Sequence, residues 1–145
     1  MNINYFNDYK NIFACDLFVE EKSKLYAKNK ADQKSYDRWL DRQLRFLDTT
    51  GLLRVLSEHN HAFEKLSGVQ EGLYSITNRE FSGNPRILFF AIIEEGEPDA
   101  FVLLVAFKEK SEGDYKRHIP TAKARRKAVL EILKEDEDNE PKEQT

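Results

Sequence analysis

A chain of 145 residues, 40% of them hydrophobic, suits one domain around one core and leaves no room for a second. Its single cysteine, Cys15, forms no internal disulfide, and no apolar run reaches the roughly 18 residues that a membrane span requires. The net charge of −3 is unevenly placed, because residues 134–145 hold two lysines and six acids whereas residues 107–127 hold eight Lys/Arg against three Asp/Glu, where a polyanion is expected to bind.

In chain order, the aromatic and β-branched residues of the opening predict a strand over residues 11–18. Good helix formers follow over residues 20–29. From Ala31 the spacing of Tyr36, Trp39, Leu40, Leu44 and Leu47 predicts a helix of about four turns, with Asp32 as its N-cap, Gly51 as its stop and Trp39 in the core. Residues 52–56 read as a short helical extension and the segment up to residue 68 as a loop that includes His59 and His61. Strands are predicted over 72–78, 86–93 and 101–107, separated by the turn residues Ser82-Gly83-Asn84-Pro85 and by 94–99, and so forming an antiparallel meander. The second and third are almost continuously apolar, so both faces of the sheet are expected to be covered. A last helix is predicted with Pro120 in its first turn, running through Ala122, Ala128, Val129, Ile132 and Leu133 with a basic exposed face. The domain is expected to span residues 1–135, leaving 136–145 as an acidic disordered tail. The first residues carry no basic stretch followed by an apolar run, so a cytoplasmic location is expected.

Several segments then combine into an ordered set: Phe63-Glu64-Lys65-Leu66-Ser67-Gly68, Gly72-Leu73-Tyr74 with Arg79, Pro85-Arg86-Ile87-Leu88-Phe89-Phe90, Val102 to Lys110, and Ile119-Pro120-Thr121-Ala122 before Ala124-Arg125-Arg126. With the order strand, two helices, meander, basic loop and helix, the set resembles the RelE/HigB-like toxins of bacterial type II toxin–antitoxin modules, within the RelE/ParE superfamily. The likeness covers residues 63–127, and the N-terminal helices by topology only. It implies an α+β fold: a small antiparallel sheet packed against N-terminal helices, with a C-terminal helix. It also implies a metal-independent, cofactor-free endoribonuclease that cuts messenger RNA on the ribosome, inhibits translation and is silenced by a cognate antitoxin protein.

Such chemistry needs a base near the attacking ribose 2′-OH, cations on the non-bridging phosphate oxygens and an acid at the leaving oxygen. Arg86 matches the family's strand arginine and would hold the scissile phosphate. Arg79 would share that task from across the hairpin. Lys108 and Lys110, at alternate positions, would share one face if the strand continues that far and both would reach the phosphate, Lys108 within the catalytic group and Lys110 as an RNA contact. Tyr115 matches a tyrosine near the attacking hydroxyl, Asp114-Tyr115 resembles the acidic-tyrosine pair of HigB-type members, and His118 titrates near neutrality. Lys116, Arg117, Arg125 and Arg126 complete the RNA-binding candidates. Ser75 and Thr77 stand where the best-known RelE-type members carry two strand lysines, so either basic-loop residues replace those lysines or the activity differs. Strand arginines and basic faces also occur as plain solvated charge, so a non-catalytic binding protein on the same fold and a ParE-like gyrase-directed toxin stay open beside the nuclease.

Overall fold

The computed structural model describes residues 1–58, 61–66 and 72–139. Two strands open the chain, β1 (Ile3–Tyr5) and β2 (Ile12–Cys15), and three helices follow, α1 (Asp16–Lys24), α2 (Lys30–Thr50) and α3 (Leu52–Ser57). Four strands come next, β3 (Phe63–Lys65), β4 (Leu73–Thr77), β5 (Pro85–Ile92) and β6 (Ala100–Lys108), before α4 (Glu112–Asn139). The strands form one six-stranded sheet in the order β1-β2-β6-β5-β4-β3. The architecture is α+β as expected, with a larger sheet than predicted.

The meander β4-β5-β6 is antiparallel. The sheet as a whole is not, because Ile12 to Ala14 of β2 pair in parallel with Phe101 to Leu103 of β6. Only a tight turn obliges neighbouring strands to run opposite ways, and β2 reaches β6 through three helices and the meander instead. The expected loop after α3 also yields a strand, since Phe63 to Lys65 pair with Tyr74 to Ile76 of β4. Three residues are too few for alternation to announce a strand. His61 is exposed just before β3, and His59 lies outside the described residues.

Helix boundaries follow local chemistry. The strand predicted over residues 11–18 is β2, which stops at Cys15 because Asp16 starts α1, where an acidic side chain suits the positive helix end, and Phe18 is buried from that helix. The cap of α2 is Asn29 rather than Asp32: the Asn29 side chain accepts a 3.0 Å hydrogen bond from the Asp32 backbone N–H. Tyr36, Leu40, Leu44 and Leu47 form the buried stripe, while Trp39 is only half-buried at its edge. Gly51 ends the helix with φ +86°, a left-handed conformation that a side chain would strain.

The two faces of the sheet are covered by different helices. On one face Ile76, Ile87, Phe89, Phe101 and Leu103 pack with Phe18, Tyr36, Leu40, Leu44 and Val55 of α1 to α3. On the other, Leu73, Leu88, Phe90, Val102, Leu104, Val105 and Phe107 lie beneath Ala122 and Val129 of α4. A bulge opposite Leu88/Phe89 gives β6 an extra residue, which places Leu104 and Val105 on the same side.

The last helix corrects the predicted boundaries at both ends. It starts at Glu112, so Pro120 sits inside it rather than in its first turn. The proline lacks the N–H that would bond the Lys116 carbonyl, a loss that water can make good because both residues are exposed. At the far end the helix continues to Asn139, so residues 136–139 of the predicted tail are helical, and 140–145 lie outside the described residues. Among the described residues no helix is long and apolar enough to cross a membrane.

Candidate functional site

Arg86 is the second residue of β5, opposite Phe107 of β6, and both point towards α4. It is 8% exposed. Its Nε forms an ion pair with Glu109 Oε2, its NH1 lies 3.9 Å from Glu64 Oε2, and its guanidinium sits 4.9 Å from the centroid of the Tyr115 ring. Glu109 is held in turn by Asn84, whose side-chain amide donates to Glu109 Oε2 at 3.1 Å and whose backbone carbonyl accepts from the Glu109 N–H at 3.1 Å. Arg86, Glu64, Glu109 and Tyr115, with Lys65 and Leu66, enclose a cavity of about 260 Å³.

Two further candidates descend onto this face from the first turns of α4. Tyr115 and His118, three residues apart on one helical face, both pack on Phe107, with ring centroids 6.2 Å and 4.1 Å away, the His118 ring being nearly coplanar at 18°. Asp114 fixes where that helix begins, since its carboxylate accepts the Lys110 and Ser111 N–H groups at 3.0 and 3.2 Å and pairs with Arg117. Burial pushes the Tyr115 phenol up, against the opposing pull of the Arg86 charge, so the group stays protonated at neutral pH. Burial, with the neighbouring Arg117 charge second, holds His118 below its ordinary 6.5, so the imidazole is neutral at pH 7.

The His118 shift carries a stability consequence. A histidine with a lowered folded pKa binds its proton less readily when folded, so its contribution is intact above the unfolded value of 6.5 and is lost as pH falls from there through the folded value. His118→Phe keeps a ring on Phe107 and removes the titration. Thermal melts should show the wild type losing ground to this variant between pH 7.5 and 5.5, and parallel melting curves across that range would contradict the assignment.

The remaining candidates are scattered. Lys108 follows Phe107 and therefore faces the opposite side of the sheet, with its Nζ 4.2 Å from the centroid of the Tyr26 ring and its stem against Gly83, where an added Cβ would meet Lys108 Cδ at 2.7 Å. It does not reach the Arg86 pocket. The strand ends at Lys108, so Lys110 does not continue the alternation and is exposed in the turn before α4. Arg79 is exposed beyond β4 and pairs with Glu64 Oε1 at 3.2 Å, which leaves it beside the pocket rather than in it. Lys116 and Arg117 are exposed on α4, Arg117 being paired with Asp114. Arg126 lies 6.0 Å from the centroid of the Phe90 ring.

Arg125 has a structural role in place of the predicted RNA contact. Its two terminal nitrogens grip both oxygens of Glu21 at 2.7 and 2.8 Å, and its NH1 also donates to the Leu104 carbonyl at 2.8 Å. Glu21 Oε1 accepts the Ala106 N–H at 3.2 Å. Beyond Leu103 β6 has lost β2 as a neighbour, and this ion pair satisfies the backbone groups so exposed.

Ser75 and Thr77 are buried, opposite Leu88 and Arg86 on the face beneath α4. Glu64 and Glu109 belong to the site although the sequence reading assigned them no role; the signal for Glu109 was its position two residues past Phe107, on the same face and diagonal to Arg86. No three His, Cys, Asp or Glu side chains among the described residues are grouped as a metal ion would need. Compared with protein-family models, with curated proteins and with solved structures, the chain matches none.

Proposed function

We propose that this protein is a toxin of the RelE/HigB-like kind, a metal-independent endoribonuclease acting on messenger RNA in the cytoplasm and held in check by an antitoxin protein. The observation that carries the reading is the gathering of Arg86, Tyr115 and His118 around Phe107 on one face of the sheet. Neutral His118 accepts the proton of the ribose 2′-OH as that oxygen attacks the adjacent phosphorus. Arg86 neutralises charge on the non-bridging oxygens, and Tyr115, protonated, supplies a proton towards the leaving 5′-oxygen, a different place from the attacking hydroxyl that the resemblance implies for it. The products are a 2′,3′-cyclic phosphate and a 5′-hydroxyl.

A second reading, a binding protein without catalysis, draws on the two carboxylates that already occupy Arg86. A phosphate has to displace Glu109 or Glu64 before Arg86 can hold it. Induced expression with growth followed and messenger-RNA 5′ ends mapped separates the readings, with arrest accompanied by new internal 5′-hydroxyl ends expected for the nuclease. Arrest with intact messages would overturn it, pointing to the binding protein, or to the gyrase-directed reading where DNA damage accompanies the arrest.

A further inference from the structure

Beside the Arg86 pocket lies a cleft of about 1070 Å³, between α2 and the β3–β4 end of the sheet. Arg38, Trp39 and Arg42 line it from α2, and Glu64, Arg79 and Phe81 face them from β3 and the turn after β4. Its volume lies at the upper end of the roughly 300–1,000 Å³ of small-molecule sites, so charge and aromatic lining decide the ligand class.

Its charge is distinctive within the chain. Of the nine arginines, six are paired with carboxylates and Arg126 lies over Phe90. The other two, Arg38 and Arg42, have neither an ion-pair nor a ring partner among the described residues, and both line this cleft. Four positions apart on α2, they lie just over one turn, about 6 Å, apart on one face, where like charges repel. A bound chain of phosphates relieves that repulsion. Glu64 and the exposed Glu80 are the cleft's two carboxylates against three arginines, and Glu64 is taken by Arg79.

Two other features specify the ligand further. Trp39 and Phe81, both half-buried with ring centroids 6.4 Å apart, give the cleft an aromatic floor suited to stacking an unpaired base, a face that duplexes keep hidden. Glu64 is the wall shared with the Arg86 pocket, since one oxygen meets Arg79 at 3.2 Å and the other lies 3.9 Å from Arg86. A strand lying in the cleft therefore arrives beside Arg86.

We propose that this cleft holds the single-stranded RNA flanking the bond cut at the Arg86 pocket, with Arg38, Arg42 and Arg79 on its phosphates and the Trp39–Phe81 floor under a base. The proposal rests on the RNA-cleaving reading and adds the path of the substrate. The test uses the full chain and a fluorescent 12-nucleotide single-stranded RNA carrying 2′-O-methyl groups, which cannot be cut. Anisotropy is followed with the fluorescence of Trp39, the chain's one tryptophan.

Binding should quench Trp39. Arg38→Ala with Arg42→Ala, both at exposed positions, should weaken binding about tenfold in low salt and flatten the slope of log affinity against log salt by about 1.4, roughly 0.7 per lost phosphate contact. Lys134→Ala, exposed on α4, should change neither. Unchanged affinity in the double variant, or binding that leaves Trp39 unquenched, would overturn the cleft while unmodified RNA still cut by the wild type keeps the nuclease reading alive. A wild type that neither binds the probe nor cuts unmodified RNA would overturn both.

Discussion

Replacing Arg86 by alanine should lower RNA cutting by about 10²- to 10³-fold, the loss of roughly 2.7–4 kcal/mol of transition-state stabilisation that follows removal of one preorganised charge-stabilising donor. The same change should destabilise the fold by about 3 kcal/mol, because Glu109, its side chain only 16% exposed, would be left without its cation. Glu64 is spared, since Arg79 still pairs with it. The two effects can be separated. Arg86→Met with Glu109→Gln removes both charges at similar volume, so stability measured by urea unfolding should stay within about 1.5 kcal/mol of the wild type while cutting remains lost. Tyr115→Phe keeps the ring against Arg86 and Phe107 and removes only the hydroxyl, so it should slow cutting at nearly unchanged stability. Full activity in the Arg86→Met/Glu109→Gln protein would remove Arg86 from the chemistry.

Arg125→Ala should cost about 3 kcal/mol of folding stability, since it leaves Glu21 without its cation at the open edge of β6 and the Leu104 carbonyl with only the weak Cys15 thiol as a donor. Glu21→Ala should cost a similar amount, stranding Arg125 and the Ala106 N–H. The two residues act as one unit, so the double variant should be little worse than either single one, with a coupling energy of roughly 2–3 kcal/mol in a double-mutant cycle. Urea unfolding of the four proteins measures it. Additive losses would mean that the residues contribute separately, and a loss of RNA affinity without loss of stability would return Arg125 to the RNA-binding set.

Periodic and local features were legible in the sequence. The α2 stripe, the hairpin at Ser82 to Pro85 and the apolar strands β5 and β6 each depend on residues within a few positions of one another. Face parity was less accessible. Arg86 was singled out and does lie with Tyr115 and His118, but Lys108 was placed with them although the alternation that puts Phe107 under α4 turns Lys108 away. Its neighbour Glu109 takes that place instead. Composition also misled over the basic segment 107–127, where net positive charge hides that Arg117 and Arg125 are already paired, Arg125 with a glutamate 104 positions away. The unpaired arginines lie on α2, in a helix whose core stripe drew attention from its other face.

The parallel pairing of β2 with β6 also governs when the molecule can form. Cys15 and Leu104, hydrogen-bonded at 3.4 Å, are 89 positions apart, so during synthesis the second strand waits for its partner until most of the chain has been made. The α1–α3 helices wait with it, because the sheet face they cover is built largely from β5 and β6. Folding is therefore a late event dominated by non-local closure, and a nascent chain stalled before β6 presents the apolar faces of those helices to chaperones and proteases rather than a working site.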